Sequence, residues 1–225
     1  MLHYQTVSPG LTSLLKELFS FNELSSFVLV GGTSLSLQIG HRRSIDIDLF
    51  TEKAFDIKEL QIFLSEHFQA LTVSWQNKNG FTCIIGETKV DLFNWHTPFH
   101  FPVMETDGLR LASKLEIAAM KLETIAGRKE KKDFIDIAFL LKEFSLKELI
   151  VAFRERYPFL GHTMILESLM AVDLADESID PDMIVDLDWA DAKKLITESV
   201  ENFFREQQLA IGAKKKNGYV KQKRY

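Results

Sequence analysis

A chain of 225 residues with 46% hydrophobic content and a formal net charge of -5 is long enough to bury a core without metal or disulfide staples, as one large domain or two small ones. Cys83 is the only cysteine, which excludes an intramolecular disulfide; it is expected to fill core, and a reducing cytoplasm is the expected home. No apolar stretch approaches membrane-spanning length and no basic start leads into an apolar run, so neither membrane insertion nor secretion is expected.

From the N-terminus, Leu11 to Phe19 predicts a short amphipathic helix, and Phe27 to Val30 a buried strand stopped by Gly31-Gly32. Thr33 to Ile39 predicts a short helix ended by Gly40. After the polar link His41 to Ser44, the run Ile45 to Phe50 alternates apolar and acidic residues with the period of a half-buried strand. Asp56 and Glu59 are spaced as a capping box for a helix to about Phe68. Strands are expected near Leu71 to Trp75, Phe81 to Ile85 and Lys89 to Asn94. From Leu109 the period becomes helical, with Leu111, Leu115, Ala118, Leu122 and Ile125 on one stripe and Gly127 at its end. Further helices are expected from Lys131 to Glu143, from Ser145 to Tyr157, near Met164 and from Trp189 to Glu206. The expected fold class is α/β of the α+β kind: a mixed-sheet head over 1–107, a helical domain over 108–212 completing a cleft, and a basic tail over 213–225. That tail, from Lys214 to Arg224, reads as a disordered end or as an arm that seeks nucleic-acid phosphates.

Aspartates two apart on a strand share a face, so Asp46 and Asp48 bring two carboxylates together while Ile45, Ile47 and Leu49 pack behind them. A divalent cation relieves their repulsion, and magnesium is commonly held by one or two carboxylates plus phosphate oxygens. An exposed strand whose acids merely face water has the same spelling. Two features favour the metal reading. Gly31-Gly32, with the hydroxyls of Thr33 and Ser34, stands at a helix N-terminus suited to phosphate, although a tight turn alone also uses such glycines. Asp91, between Val90 and Leu92, is a lone acid on a later strand that completes a metal-binding triad if that strand lies beside the first.

Val30-Gly31-Gly32, thirteen intervening residues, Asp46-Ile47-Asp48-Leu49 and then Val90-Asp91-Leu92 resemble the pattern of polymerase-β-like nucleotidyltransferases. The fuller runs Leu29 to Leu37 and Gly40 to Phe50 look like the AbiEii/AbiGii toxin branch, components of bacterial toxin–antitoxin and phage-defence systems. The likeness covers roughly the first three-fifths of the chain. It implies transfer of a nucleoside monophosphate from a nucleoside triphosphate to a hydroxyl on RNA, such as tRNA, or on protein. It further implies two Mg²⁺ ions, or Mn²⁺, on Asp46, Asp48 and Asp91, and a protein antitoxin as partner. By the same resemblance the Gly31 to Ser34 loop and Arg42 grip phosphates, Lys121 binds the triphosphate, and Asp133 and Asp136 form the acidic motif of the helical half.

Taken as residues alone, Lys114, Lys121 and Arg128 lie along one helical stripe that is either a phosphate-reaching or a solvated basic face. Asp133 and Asp136 either serve the site or salt-bridge the next helix. Asp186 and Asp188 repeat the D-x-D spelling without a glycine turn, and Asp188 is expected to cap a helix. His96 and His100 have zinc-like spacing, but Pro98 and Pro102 argue against a helix there. Two other functions share parts of the pattern. A D-x-D glycosyltransferase needs neither the glycine turn nor Asp91, and a nucleotide-binding module without turnover has no need of all three acids.

Overall fold

The computed structural model describes the backbone of residues 1–222 and the side chains of residues 1–209. The basic run from Lys214 therefore lies outside the described side chains, and residues 223–225 lie outside the described structure altogether. Among the described residues there are seven strands, β1 (Val28–Leu29), β2 (Ile47–Thr51), β3 (Leu71–Asn77), β4 (Gly80–Ile85), β5 (Thr88–Asn94), β6 (Met104–Thr106) and β7 (Leu109–Leu111), in one sheet of order β3-β4-β5-β2-β1-β7-β6. Four helices accompany the sheet or follow it directly: α1 (Pro9–Ser20), α2 (Gly31–Ile39), α3 (Ile57–His67) and α4 (Lys114–Gly127). Then come α5 (Lys131–Leu141), α6 (Leu146–Arg156), α7 (His162–Met170) and α8 (Trp189–Gln222). The sheet is mixed: β2 runs parallel to β5 and antiparallel to β1, while β1 runs parallel to β7.

The alternation of the strands fixes what each sheet face meets. Ile47, Leu49, Val90, Leu92, Phe81 and Cys83 are buried together with residues of α1 and α3, including Leu11, Leu15 and Leu64. Burial, with the Asp91 charge, pushes the Cys83 thiol up to about 12, which keeps it protonated and inert as core filling. A second core gathers Ile117, Leu122, Phe134, Leu149, Phe153 and Ile196 from the helical half. Helix α2 joins the two, burying Leu37 in the first and Leu35 in the second.

Expected boundaries move at two places near the site. Strand β2 starts at Ile47 rather than Ile45, so Asp46 lies on the loop before it, and Ile45, expected to pack behind the acids, is exposed. Leu109 to Leu111 does not open the helix but forms β7: Leu109 and Leu111 are buried on alternate positions, and Arg110 donates to the carbonyls of Phe27 and Leu24 at 2.9 and 2.8 Å. Helix α4 starts at Lys114, where the Ser113 hydroxyl accepts from the Glu116 amide. The other caps follow the sequence: Asp56 accepts from the first turn of α3, Ser145 and Glu148 form a full capping box on α6, and Asp188 accepts from the Ala190 amide. His96 and His100 sit in the loop after β5, outside any helix, and His96 contacts Asn79.

Candidate active site

The site is built where β1 ends, β2 and β5 run side by side, and α2 begins. In the parallel β2–β5 ladder Asp48 is the register partner of Asp91, so both carboxylates leave the same sheet face while Ile47, Leu49, Val90 and Leu92 fill the other. Asp46 lies just before β2, on the loop that enters the strand. The Val30 amide donates to the Asp48 carbonyl at 2.9 Å, which draws the glycine turn over the strand.

Gly31 is the first residue of α2 and has φ +67, and a Cβ there would lie 2.2 Å from Asp48 Oδ2. Glycine is thus required twice over, for the left-handed backbone and for the approach to the carboxylate. A Cβ on Gly32 would lie 2.5 Å from Arg42 Nη2. Thr33 and Ser34 are fully buried and spend their hydroxyls internally: Thr33 donates to the Asp46 carbonyl and meets the Ser44 hydroxyl, and Ser34 accepts from Gln38. The loop therefore offers backbone to the cleft while these hydroxyls brace the strand entry.

Charge is unevenly compensated across the two acids. Asp91 accepts from the Thr82 hydroxyl at 2.6 Å and from Lys89 Nζ at 2.5 Å. Asp48 has no ion-pair partner among the described residues. Burial, followed by the Asp91 charge, pushes its carboxyl up to about 6 against the pull of Lys89 and Lys121.

The helical half contributes a buried ionic network. Lys121 Nζ lies 2.6 Å from Asp133 Oδ1 and 2.6 Å from Asp136 Oδ2. Arg42 holds Asp136 with two hydrogen bonds of 2.6 and 2.8 Å, His41 Nε2 lies 2.8 Å from the same carboxylate, and Arg128 donates to Asp133 at 2.9 Å. Burial alone would raise the Asp136 carboxyl, but the charges of Arg42 and Lys121 and the hydrogen bonds from Arg42 and His41 hold it well below the usual carboxylate range. Asp133 and Asp136 are thus both tied into ion pairs, and Lys121 is a buried member of that network rather than a free cation. Lys114, one stripe position earlier, pairs with Glu143 at the surface instead.

These groups open on one cleft of about 1320 Å³ whose lining includes Gly32, Arg42, Asp46, Asp48, Asp91 and Lys121. Two walls were not legible in the sequence. One is the N-terminal segment Tyr4 to Pro9, where the Thr6 carbonyl accepts from the Ser44 amide at 2.9 Å. The other is the loop Glu177 to Asp182, tied down by the Arg43 amide donating to the Asp182 carbonyl at 2.7 Å. Lys89 was missed too, although its place two residues before Asp91 on a strand puts it on the same face.

The family model for the nucleotidyl transferase AbiEii toxin of type IV toxin–antitoxin systems matches residues 13–74 and 88–210. The chain belongs to the AbiEii family. An uncharacterized protein of Aquifex aeolicus, aq_aa25, is 32% identical over 200 residues, covering 85% of this chain and 90% of that one. Among solved structures, an H. pylori protein provisionally described as a nucleotidyltransferase superposes with a TM-score of 0.58 at 17% identity, covering 89% of this chain and 94% of its own. ANT(2'')-Ia, solved in complex with adenylyl-2''-tobramycin, superposes with a TM-score of 0.50 at 18% identity, covering 67% of this chain and 99% of its own. The mixed sheet with a helical C-terminal part is thus a nucleotidyltransferase fold, and the AbiEii assignment makes the chain a nucleotidyltransferase of a toxin family. The matched segments take in Gly31, Asp46, Asp48, Asp91, Lys121 and Asp136 but not the Tyr4 to Pro9 wall. No helix among the described residues of this AbiEii protein is long and apolar enough to cross a membrane.

The site also fits the cation expected of such an enzyme. Among the described residues no three His, Cys, Asp or Glu side chains stand as a ready-made cage. Magnesium, however, commonly takes only one or two carboxylates and completes its shell with phosphate oxygens and water. Asp48 has no ion-pair partner among the described residues and stands beside a second carboxylate and below a backbone turn, an arrangement that a divalent ion with a nucleotide would suit.

Proposed function

We propose that this chain transfers a nucleoside monophosphate from a nucleoside triphosphate to a hydroxyl on RNA or protein, as the toxin of a pair with a cognate antitoxin. The observation that carries the reading is the pairing of Asp48 with Asp91 in one register directly beneath the Gly31 turn. Asp46, Asp48 and Asp91 would hold Mg²⁺, as two ions with Mn²⁺ able to substitute, and the metal would neutralise charge on the phosphates as the new bond forms.

The chain's own residues supply position and fixed charge. The backbone turn at Gly31-Gly32 brings the α2 N-terminus to the triphosphate, where amide dipoles favour anions. Arg42 and Lys121 line the same cleft, and their orientation is set by Asp136 and Asp133 rather than by substrate. Groups fixed in advance spend no reorganisation energy when charge develops, which suits phosphoryl chemistry. The acceptor oxygen bonds to the α-phosphorus as the bond to pyrophosphate breaks, and the hydroxyl proton leaves to a carboxylate or to water. A cleft of about 1320 Å³ exceeds the roughly 300–1,000 Å³ typical of a single small ligand, leaving room for part of an acceptor beside the nucleotide.

The test is incubation of the protein with each α-labelled nucleoside triphosphate, Mg²⁺, and total RNA or total protein. Label should enter one of the two acceptor pools and be lost with Asp46→Asn. Label in neither pool with any triphosphate would overturn the reading.

A further inference from the structure

Lys89 is a charged group at the site that the proposed reaction leaves without a role. It lies on β5 two residues before Asp91, so both side chains share the cleft face, and both line the cleft. Its ammonium sits 2.5 Å from Asp91 Oδ2, while the other oxygen of the same carboxylate accepts from Thr82 at 2.6 Å. Both oxygens of Asp91 are therefore engaged by the protein itself. The Lys89 side chain is 42% exposed, against 16% for Asp91, so the lysine has room to swing into solvent while the carboxylate stays in place.

We infer that Lys89 is the resident counter-ion of the metal site, an ammonium that a divalent cation must displace from Asp91 before that carboxylate can serve as a ligand. This rests on the proposed metal-dependent reading and adds to it a positioning residue that sets how readily the free protein takes up metal. An ammonium and a divalent cation compete for the same oxygen, and the two positive charges repel at a few ångströms. In the resting protein one carboxylate is compensated by Lys89 and the other, Asp48, is not. Asp48 and Asp91 would hold the divalent cation once Lys89 has swung away, and the cation would supply the positive charge that the lysine gives Asp91 in the free protein. The released ammonium remains tethered to a strand in the cleft, within the region where substrate phosphates would lie.

The test is Mn²⁺ binding to metal-free protein in the absence of nucleotide, followed by the electron paramagnetic resonance signal of free Mn²⁺. It is applied to the intact chain and to Lys89→Met, Lys89→Arg and Asp48→Asn. Lys89→Met, which keeps the unbranched shape of the side chain to within one atom but not its charge, should bind Mn²⁺ roughly fivefold or more tightly than the unmodified protein. Lys89→Arg should bind as the unmodified protein does, because the compensating charge is retained. Lys89→Met binding equally or more weakly, with Asp48→Asn abolishing binding, would overturn the role of Lys89 and leave the metal site standing. Binding unaffected by Asp48→Asn, or absent from every protein including Lys89→Met, would overturn the metal site and the inference with it.

Discussion

Asp48 and Asp91 face one another across the parallel β2–β5 ladder, and only Asp91 has a cation and a hydroxyl upon it. The asymmetry has a consequence for stability. The Asp48 carboxyl is pushed up to about 6 from a usual 3.8, first by burial and then by the Asp91 charge. A folded-state value above the unfolded one means that the native protein holds this proton more tightly. The resulting stability is full below about pH 3.8 and is lost as pH rises through about 6. Asp48→Asn removes that loss. In metal-free buffer the variant should be more stable than the unmodified protein at pH 7, by on the order of 1–3 kcal/mol, and equal to it near pH 4. Urea melts at the two pH values check this, and a difference that does not change with pH would show that Asp48 carries no such strain.

The same substitution should have the opposite effect on chemistry. Asp46→Asn and Asp48→Asn each preserve shape while removing a negative charge from the proposed metal site. Each should lower nucleotide incorporation by about a hundredfold or more, with the circular dichroism spectrum unchanged. Near-normal transfer by either folded variant would place the metal elsewhere.

Gly31→Ala tests the contact between the turn and the strand. The added Cβ meets Asp48 Oδ2 at 2.2 Å on a backbone with φ +67, so the carboxylate must move and the turn is strained. A loss of about 1–3 kcal/mol in stability is expected, together with loss of transfer. Gly86 provides the control, since it shares a positive φ of +62 but has open space around its Cβ position. Gly86→Ala should show the backbone penalty alone, with transfer retained. Equal transfer by the two alanine variants would mean that the approach of Gly31 to Asp48 has no functional weight.

Local patterns carried much of the sheet and its acids into view. The acids two apart at Asp46 and Asp48, the stop at Gly31-Gly32 and the lone acid of Val90-Asp91-Leu92 are short-range signals; β2 and β5 form at Asp48 and Asp91, while Asp46 falls on the loop before β2. Leu109-Arg110-Leu111 reads in sequence as the start of the helix stripe, because three residues carry too little pattern to show a strand; the open edge of β1 and the carbonyls that take Arg110 make it β7. The walls at Tyr4 to Pro9 and Glu177 to Asp182 had no local signature, since each meets the Arg42 to Ser44 link through backbone hydrogen bonds between distant parts of the chain. The state of Lys121 was hidden for a related reason. Its stripe on α4 is readable, but whether it meets water or acid depends on how α5 folds back to deliver Asp133 and Asp136.

That burial changes what a Lys121 substitution measures. Lys121 is 8% exposed in its side chain and stands between two fully buried carboxylates, so Lys121→Ala leaves Asp136 with Arg42 and Asp133 with Arg128 as their remaining cationic partners among the described residues. Breaking a buried ion pair by removing one partner costs about 3–5 kcal/mol, whereas an exposed pair such as Lys114 with Glu143 is worth under about 1 kcal/mol. Urea melts of Lys121→Ala and Lys114→Ala should differ accordingly, and reduced transfer by the first cannot by itself assign a role in catalysis. The double variant Lys121→Ala with Asp133→Asn separates the two effects, because it removes an uncompensated charge along with the lysine. It should regain part of the lost stability. If Lys121 also acts on the triphosphate, transfer should stay roughly ten- to a hundredfold down in the double variant, the worth of one charge-assisted contact. Recovery of transfer in step with stability would make Lys121 a structural member of the α4–α5 network and leave the phosphates to Arg42 and the Gly31-Gly32 turn.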